Sequence, residues 1–328
     1  MNLIPFTVTI DTEEEWDWSG PFPVRDLSVS NIHQLGRFQS LCDKYDIRPT
    51  YFCNHAVIAN RASAEIITKL SESENVEIGM HLHPWNTPPI QSETVGPGES
   101  FTHNLSPGAQ IEKLQATFDS LVDAGITPKS FRGGRYSSGD VVQKFLVEHQ
   151  FLVDSSVCPY TSWPDDGAPD YCDRGLEPTR IEFGSGEVLW EVPLTMVTTR
   201  RPYDRWLKIF NRLESPALAK LRLIGILNKL GVASRVWLNF ECEEAHRIVK
   251  FLDIAASSGL GHLTFTVHSS SLSPGPGPYC QSEQDCDRIL LGIESVFQVL
   301  QREPIFQPAT MSQLAGLLEE KYHEGFGN

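Results

Sequence analysis

Positive charge is scarce in this chain, whose 328 residues carry 27 Lys and Arg against 42 Asp and Glu, a formal net charge of −15. That balance argues against a nucleic-acid or anionic-membrane partner, since both are themselves polyanions. Long apolar runs are missing too. The most hydrophobic stretch, residues 221–230, is short and broken by Arg222, Gly225, Asn228 and Lys229, so no transmembrane segment is expected. The opening residues MNLIPFTVTID hold neither a basic region nor an extended apolar one, and no secretory signal is expected. The seven cysteines, at 42, 53, 158, 172, 242, 280 and 286, include no CxxC spacing. This suits reduced thiols in a cytoplasmic protein, mostly packed as small apolar groups. No P-loop, dinucleotide fingerprint or nucleophile elbow is present, which sets those classes aside. No internal repeat or linker divides the chain, so a single domain over residues 1–328 is expected, with oligomeric state left open.

What the chain does contain is an alternation of strand-like and helix-like segments. Residues 6–11 read as a buried strand running into the acidic loop TEEEWDW at 12–18. From Val29, the apolar Ile32, Leu35, Phe38 and Leu41 recur at helical spacing, with Ser28 or Ser30 as the candidate cap. Strands are expected near 48–53, 76–81, 131–136, 151–157, 236–240 and 262–268, and a β-hairpin over 180–193 turning at residues 184–186. Helices are expected over 62–70, 107–122, 141–149, most of 206–230, 243–256, 289–300 and 311–318. Repeated strand–helix units imply a parallel sheet covered by helices. Seven or so strands in this length suggest a barrel-like β/α fold, with an open doubly wound sheet as the alternative. The stretch 90–108, polar and rich in Gly and Pro, is a long loop of the kind usually kept for function, and 159–180 is an irregular Pro/Asp/Gly-rich loop that breaks the alternation.

Polar clusters gather at the strand ends. His81 and His83 stand two apart, so their imidazoles project from one face of a strand tip and form a ready chelate for a divalent metal. Asp11, Arg132, Asp154 and His268 also fall at or near C-terminal ends of expected strands. In β/α barrels that face carries the active site. Each residue alone has a structural reading: a capping acid for Asp11, an ion pair for Arg132 with Asp154, a hydrogen-bonded core histidine for His268. Five such clusters together favour function.

In this order the clusters resemble the five motifs of the polysaccharide deacetylases of NodB-homology type, carbohydrate esterase family 4. The matching segments are TIDTE at 9–13, HLH at 81–83, FRGGRY at 131–136, VDSS at 153–156 and FTVH at 265–268. Three longer strings, EIGMHLHPWNTPP at 77–89, LWEVPLT at 189–195 and HSSSLSPGPGPY at 268–279, resemble the WalW-like subgroup, named for a lipopolysaccharide biosynthesis protein. The resemblance covers about residues 6–280 and leaves the C-terminal helices to pack on that core. It implies a deformed seven-stranded β/α barrel that removes N-acetyl groups from a sugar or glycoconjugate, in cell-surface polysaccharide or lipopolysaccharide assembly. It also implies Asp11 as general base for a water activated by a divalent metal, His268 as general acid, Arg132 as the residue orienting Asp11, and Asp154 as the fourth-motif acid.

The chain departs from the family's pattern twice. The second Asp of the usual first motif is Thr12 here, and the nearest carboxylate is Glu13. The usual second motif spaces its histidines four apart, but position 85 is Trp. Glu13, His81 and His83 then form the expected metal set, with zinc the expected ion, because His₂-carboxylate is an established hydrolytic zinc site. The alternatives are a metal-free hydrolase of another amide or a cyclic ureide, like the allantoinase-type relatives of the family, or a non-catalytic carbohydrate-binding homologue. Trp16, Trp85 and Tyr136 are the candidate substrate contacts, and Trp18 and Trp163 also lie in loops suited to sugar stacking.

Overall fold

The computed structural model describes residues 3–163, 167–184, 186–220, 222–230, 232–257 and 259–326. Eleven strands run in chain order: β1 (Ile4–Thr12), β2 (Pro49–Cys53), β3 (Glu77–Leu82), β4 (Ser130–Gly133), β5 (Val153–Asp154), β6 (Thr179–Glu182), β7 (Val188–Glu191), β8 (Met196–Thr198), β9 (Arg235–Trp237), β10 (Leu263–His268) and β11 (Phe306–Pro308). Seven of them, in the order β10-β1-β2-β3-β4-β5-β7, pair in parallel. The sheet curls and nearly closes through irregular chain. Val192 and Leu194 bond back to Asp154 and Val157, Leu238 bonds to Thr195, and Asn239 bridges in parallel to Thr266 of β10. This is the deformed α/β barrel expected from the motifs, and the open doubly wound alternative falls away.

The alternation within the strands explains what each face does. On β1, Ile4, Phe6, Val8 and Ile10 pack outward with the helices in the main apolar core, while Thr7, Thr9 and Asp11 face the barrel interior. Barrel interiors are usually filled with branched aliphatics. Here a guanidinium, that of the fully buried Arg132, lies 4.5 Å over the Phe52 ring inside the barrel, and threonine hydroxyls line its surroundings. Gly79 makes room for that ring. A Cβ there would come within 2.6 Å of both Phe52 and Ser130. The N-terminal end of the barrel is sealed by Met311, Leu314 and Leu318 of the last helix, Met311–Phe326, which pack with Phe52, Val153 and Val192.

Several expectations need adjustment. The segment after Val29 is a short 3-10 turn, Ser30–Gln34, followed by the helix Leu35–Lys44; neither Ser28 nor Ser30 caps it, because both hydroxyls bond Glu15 instead. The strand expected over 151–157 is regular only at Val153–Asp154, since Ser155 and Ser156 turn to bond β4. The stretch 206–230 divides into helices Tyr203–Glu214, Pro216–Ala219 and Leu223–Lys229. The hairpin is present as β6 and β7, and β8, which pairs antiparallel with β9, went unread. Ser185 of the expected turn and Leu221 of the apolar stretch lie outside the described residues.

The cysteines also need correction. Cys280 and Cys286 are joined in a disulfide with Cα atoms 5.4 Å apart. The turn that closes with Gly275 N–H donating to Cys280 C=O brings Cys280 onto the first turn of the helix Glu283–Arg302. Spacing alone carried no sign of it. Disulfides belong mainly to oxidising compartments, so cysteine usage no longer supports a cytoplasmic location. Among the described residues, no helix is long and apolar enough to cross a membrane.

Candidate active site

The strand ends converge as the sequence suggested. On β3, Gly79, His81 and then His83 share the inward face. His81 Nδ1 lies 2.7 Å from the carbonyl oxygen of Arg132, so Nδ1 carries the proton and Nε2 is left with a lone pair directed inward. His83 Nδ1–H donates to Glu14 Oε1 at 2.9 Å, which turns its Nε2 toward His81 and Glu13. The two Nε2 atoms are 3.1 Å apart, and Glu13 Oε2 stands 3.4 Å from His81 Nε2 and 3.1 Å from His83 Nε2. A tetrahedral ion bonded at about 2.0–2.1 Å holds its ligand atoms about 3.3 Å apart. Glu13, His81 and His83 therefore match the spacing of a divalent-metal site, and all three are buried.

Glu14 is the member of this cluster that sequence reading passed over. Its carboxylate is fully buried and accepts from Asn54 Nδ2 at 2.5 Å, Asn86 Nδ2 at 2.6 Å and Trp85 Nε1 at 3.2 Å, besides His83. Three consecutive glutamates look like a solvated run. Beyond the strand tip they instead turn different ways, with Glu13 and Glu14 inward and Glu15 bonded to Ser28, Ser30 and the Asn31 N–H. Burial alone would lower the His83 pKa, but Glu14 and Glu13 raise it to about 10, so without an ion its Nε2 holds a proton toward Glu13, and a metal would have to displace that proton.

Next to this cluster Arg132 Nη1 donates to Asp11 Oδ1 at 2.6 Å and to Thr9 Oγ1 at 2.8 Å, while Nε and Nη2 bond Ser155 O and Oγ at 3.1 Å each. A buried ion pair holds only when its remaining donors are satisfied, as they are here. Burial pushes the Asp11 pKa up, but Arg132, His81 and His268 outweigh it and keep the carboxyl below its ordinary value. Asp11 Oδ2 faces His268 Nε2 at 3.8 Å. On the far side of that ring, His268 Nδ1–H donates to Glu241 Oε2 at 2.7 Å, and the His268 N–H donates to Glu241 Oε1 at 3.0 Å. Burial lowers the His268 pKa, yet Glu241, Glu13 and Asp11 raise it to about 10, which favours the protonated ring at neutral pH. Glu241 was missed as well. It stands just beyond an expected strand, 236–240, and the strand-end criterion that selected the other residues would have found it.

Asp154 does not join this group. The expected ion pair with Arg132 is absent among the described residues, because Ser155 already occupies the guanidinium's near side. The Asp154 carboxylate turns to Ser138 Oγ at 2.5 Å and to Ser156 N and Oγ at 3.0 and 2.6 Å. Ser156 Oγ in turn accepts from Gly133 N at 2.9 Å. Burial, with Glu191 adding, raises the Asp154 pKa to about 6 despite these bonds.

Above the polar floor lies a cleft of about 400 Å³ with aromatic walls. Trp16 packs with Phe22 (5.3 Å) and Trp85 (6.1 Å), Tyr136 stacks near Trp163 (6.4 Å), and Trp18 meets the His268 ring edge-on at 4.9 Å. Trp85 also lines the cleft, is largely buried, and stacks on His83 at 4.1 Å. Arg135 and Tyr136, both with positive φ, form a tight turn after Gly133 that brings the tyrosine to the cleft.

The fold is that of the polysaccharide deacetylases. By structure the chain is similar to a candidate polysaccharide deacetylase from Mycobacterium smegmatis, at 16% identity and a TM-score of 0.58 over 98% of this chain and 92% of that one. It is similar to Puue allantoinase at 12% identity and a TM-score of 0.53 (95% and 88% covered), and to a candidate polysaccharide deacetylase from Pseudomonas aeruginosa PAO1 at 11% and 0.53 (95% and 89%). No family model matches the sequence, and no curated protein matches it significantly.

Proposed function

We propose that this chain is a metal-dependent amide hydrolase that removes an N-acetyl group from an amino sugar. The observation that carries the reading is the convergence of His81 Nε2, His83 Nε2 and Glu13 Oε2 at tetrahedral ligand spacing beside Asp11 and His268. A divalent ion held by these three, for which zinc suits the donor set, supplies Lewis-acid chemistry that acidifies water and polarises a carbonyl. The chain's own groups do the remainder. Asp11, kept ionised by Arg132, accepts a proton at Oδ2, the oxygen not bonded to the guanidinium. His268, kept protonated by Glu241, delivers a proton to the departing nitrogen, which cannot leave as a bare anion at neutral pH. Trp16, Tyr136 and Trp163 offer apolar faces to a pyranose ring. Arg132 is a positioning residue, and Asp154 acts only through Ser156 on the turn at Gly133.

The names of two fold relatives support a carbohydrate substrate. The narrower assignment, to cell-surface polysaccharide or lipopolysaccharide assembly, rests on the WalW-like sequence strings. The allantoinase relative brings in a second reading, metal-free hydrolysis of a cyclic ureide, but two Nε2 atoms and one carboxylate oxygen at ligand spacing favour a metal. Elemental analysis of the purified protein, beside acetate release from N-acetylhexosamine conjugates, tests the proposal. One equivalent of metal, lost in the His81→Ala/His83→Ala double variant together with acetate release, is the expected result. Turnover of a ureide by metal-free protein would replace it with the second reading. Absence of both metal and turnover would leave a carbohydrate-binding protein.

A further inference from the structure

The net charge of −15 conceals an uneven distribution. Between β8 and β9 the chain leaves the barrel for the helices Tyr203–Glu214, Pro216–Ala219 and Leu223–Lys229. Residues 200–235 hold nine Lys and Arg and only two acids, Asp204 and Glu214. Arg235 pairs with Glu214 at 3.1 Å, and Asp204 is bonded to Tyr160. The other eight cations, Arg205, Lys208, Arg212 and Arg222 among them, are exposed, and none forms an ion pair with a carboxylate among the described residues, although Arg201 lies 5.9 Å over the Tyr203 ring. Elsewhere on the surface exposed cations do find carboxylates, as Arg37 does Asp287 and Lys44 does Glu294.

A second observation falls on the same segment. The helix Leu223–Lys229 buries none of its described side chains: Leu223, Ile224 and Leu227 are only half-covered, Ile226 is 49% exposed, and Leu230 beyond it is 70% exposed. Short helices owe their stability mostly to packing of an apolar face, and this one rests only partly on the helix Tyr203–Glu214, leaving Ile226 and Leu230 turned outward. Apolar side chains ringed by cations on a helical segment form the pattern of an interfacial anchor. Charge decides the occupant. A hydrophobic protein patch would cover the leucines and isoleucines and leave the cations unmatched, whereas an anionic lipid surface matches both. The position also suits such a surface. A second cavity, of about 530 Å³, reaches from Asn211, Glu214 and Ser215 of this segment to Trp163, Trp237 and Cys242, which line the catalytic cleft as well.

We infer that the segments 200–220 and 222–230 dock the protein on an anionic lipid surface, with the exposed cations against headgroups and Ile226 and Leu230 among the acyl chains. The inference holds whatever amide the cleft hydrolyses. The test is co-sedimentation of the full chain with vesicles of phosphatidylcholine alone or of an equal mixture of phosphatidylcholine and phosphatidylglycerol. Binding to the mixture only is expected, weakening steeply as salt rises from about 0.1 M to about 0.5 M. Arg205→Ser/Lys208→Ser/Arg212→Ser should lower partitioning on the order of 100-fold, at roughly five-fold per side chain. Ile226→Ser/Leu230→Ser should lower it at least about ten-fold. These side chains are exposed, so both variants should keep the wild-type circular dichroism spectrum. No binding to the mixture, equal binding to phosphatidylcholine alone, or wild-type binding by either variant would overturn the inference. So would tighter binding to a single-stranded oligonucleotide that Ile226→Ser/Leu230→Ser leaves intact, which would make the patch a nucleic-acid surface.

Discussion

Glu14 touches no substrate, yet its carboxylate holds four donors, and removing it should show how far the metal site depends on support behind it. In Glu14→Ala the donors of Asn54, Asn86, Trp85 and His83 lose their acceptor in a fully buried setting. Each buried donor left unpaired costs roughly 1–3 kcal/mol, and water entering the vacated space would re-satisfy some of them. A net loss of about 3–5 kcal/mol is expected, large against a typical stability of about 5–15 kcal/mol but not beyond it. Glu14→Gln separates packing from charge. It keeps the volume and one acceptor oxygen but turns an NH₂ toward the amides of Asn54 or Asn86, and it no longer fixes the His83 tautomer. Stability should then fall by only about 1–2 kcal/mol, while divalent-metal affinity falls about 10–100-fold, the usual cost of losing a carboxylate behind a ligating histidine. Denaturant titration of metal-free protein and competition with a chromophoric chelator read the two effects separately. If Glu14→Gln binds metal as tightly as the parent, Glu14 is a packing residue and the account of His83 orientation is wrong.

Other outcomes follow from the same geometry. His268→Ala should cost an acetamide substrate on the order of 10²–10⁴ in rate and an activated aryl acetate much less, because the ester's leaving group needs no proton; equal losses on both would mean that His268 does not act as the acid. Gly134→Ala places a Cβ 2.5 Å from His83 Cδ2 and 2.6 Å from the Leu82 carbonyl oxygen, so the ring must shift. A stability loss of about 1–3 kcal/mol with weaker metal binding is expected, and unchanged chelator competition would count against the site. Asp154 has its carboxyl raised to about 6 from 3.8, so folding favours its protonated form. Its contribution to stability is therefore fullest below about pH 4 and declines as pH rises through 6. Asp154→Asn removes that decline, and its stability relative to the parent should climb by about 2 kcal/mol between pH 4 and pH 7. A flat difference across that range, measured by urea titration, would show that Asp154 is ionised without penalty.

Much of this molecule was legible in its residues. Period-two alternation in 6–11 and 262–268 and 3.6-residue spacing in 29–41 and 289–300 reflect local backbone geometry, which sequence encodes directly. The identity of the inward residues followed from the same rule: His81 and His83 share a face because they are two apart on one strand, and Asp11 and His268 meet because β1 and β10 pair in register. What the tertiary structure alone decided concerns side chains that could turn either way. Glu13, Glu14 and Glu15 are chemically alike, and only the neighbours each one meets separate a carboxylate facing His81 and His83, a buried acceptor behind His83 and a surface link to Ser28 and Ser30. Asp154, expected beside Arg132, was drawn instead to serines on its own strand end and on the loop after β4, because Ser155 reached the guanidinium first. Glu241 found His268 across a partial closure of the barrel that no local pattern encodes. Cys280 met Cys286 through a turn whose path depends on packing. Periodicity reports which face a residue occupies, whereas the choice among partners on that face is set by distances of a few ångströms between segments far apart in the chain.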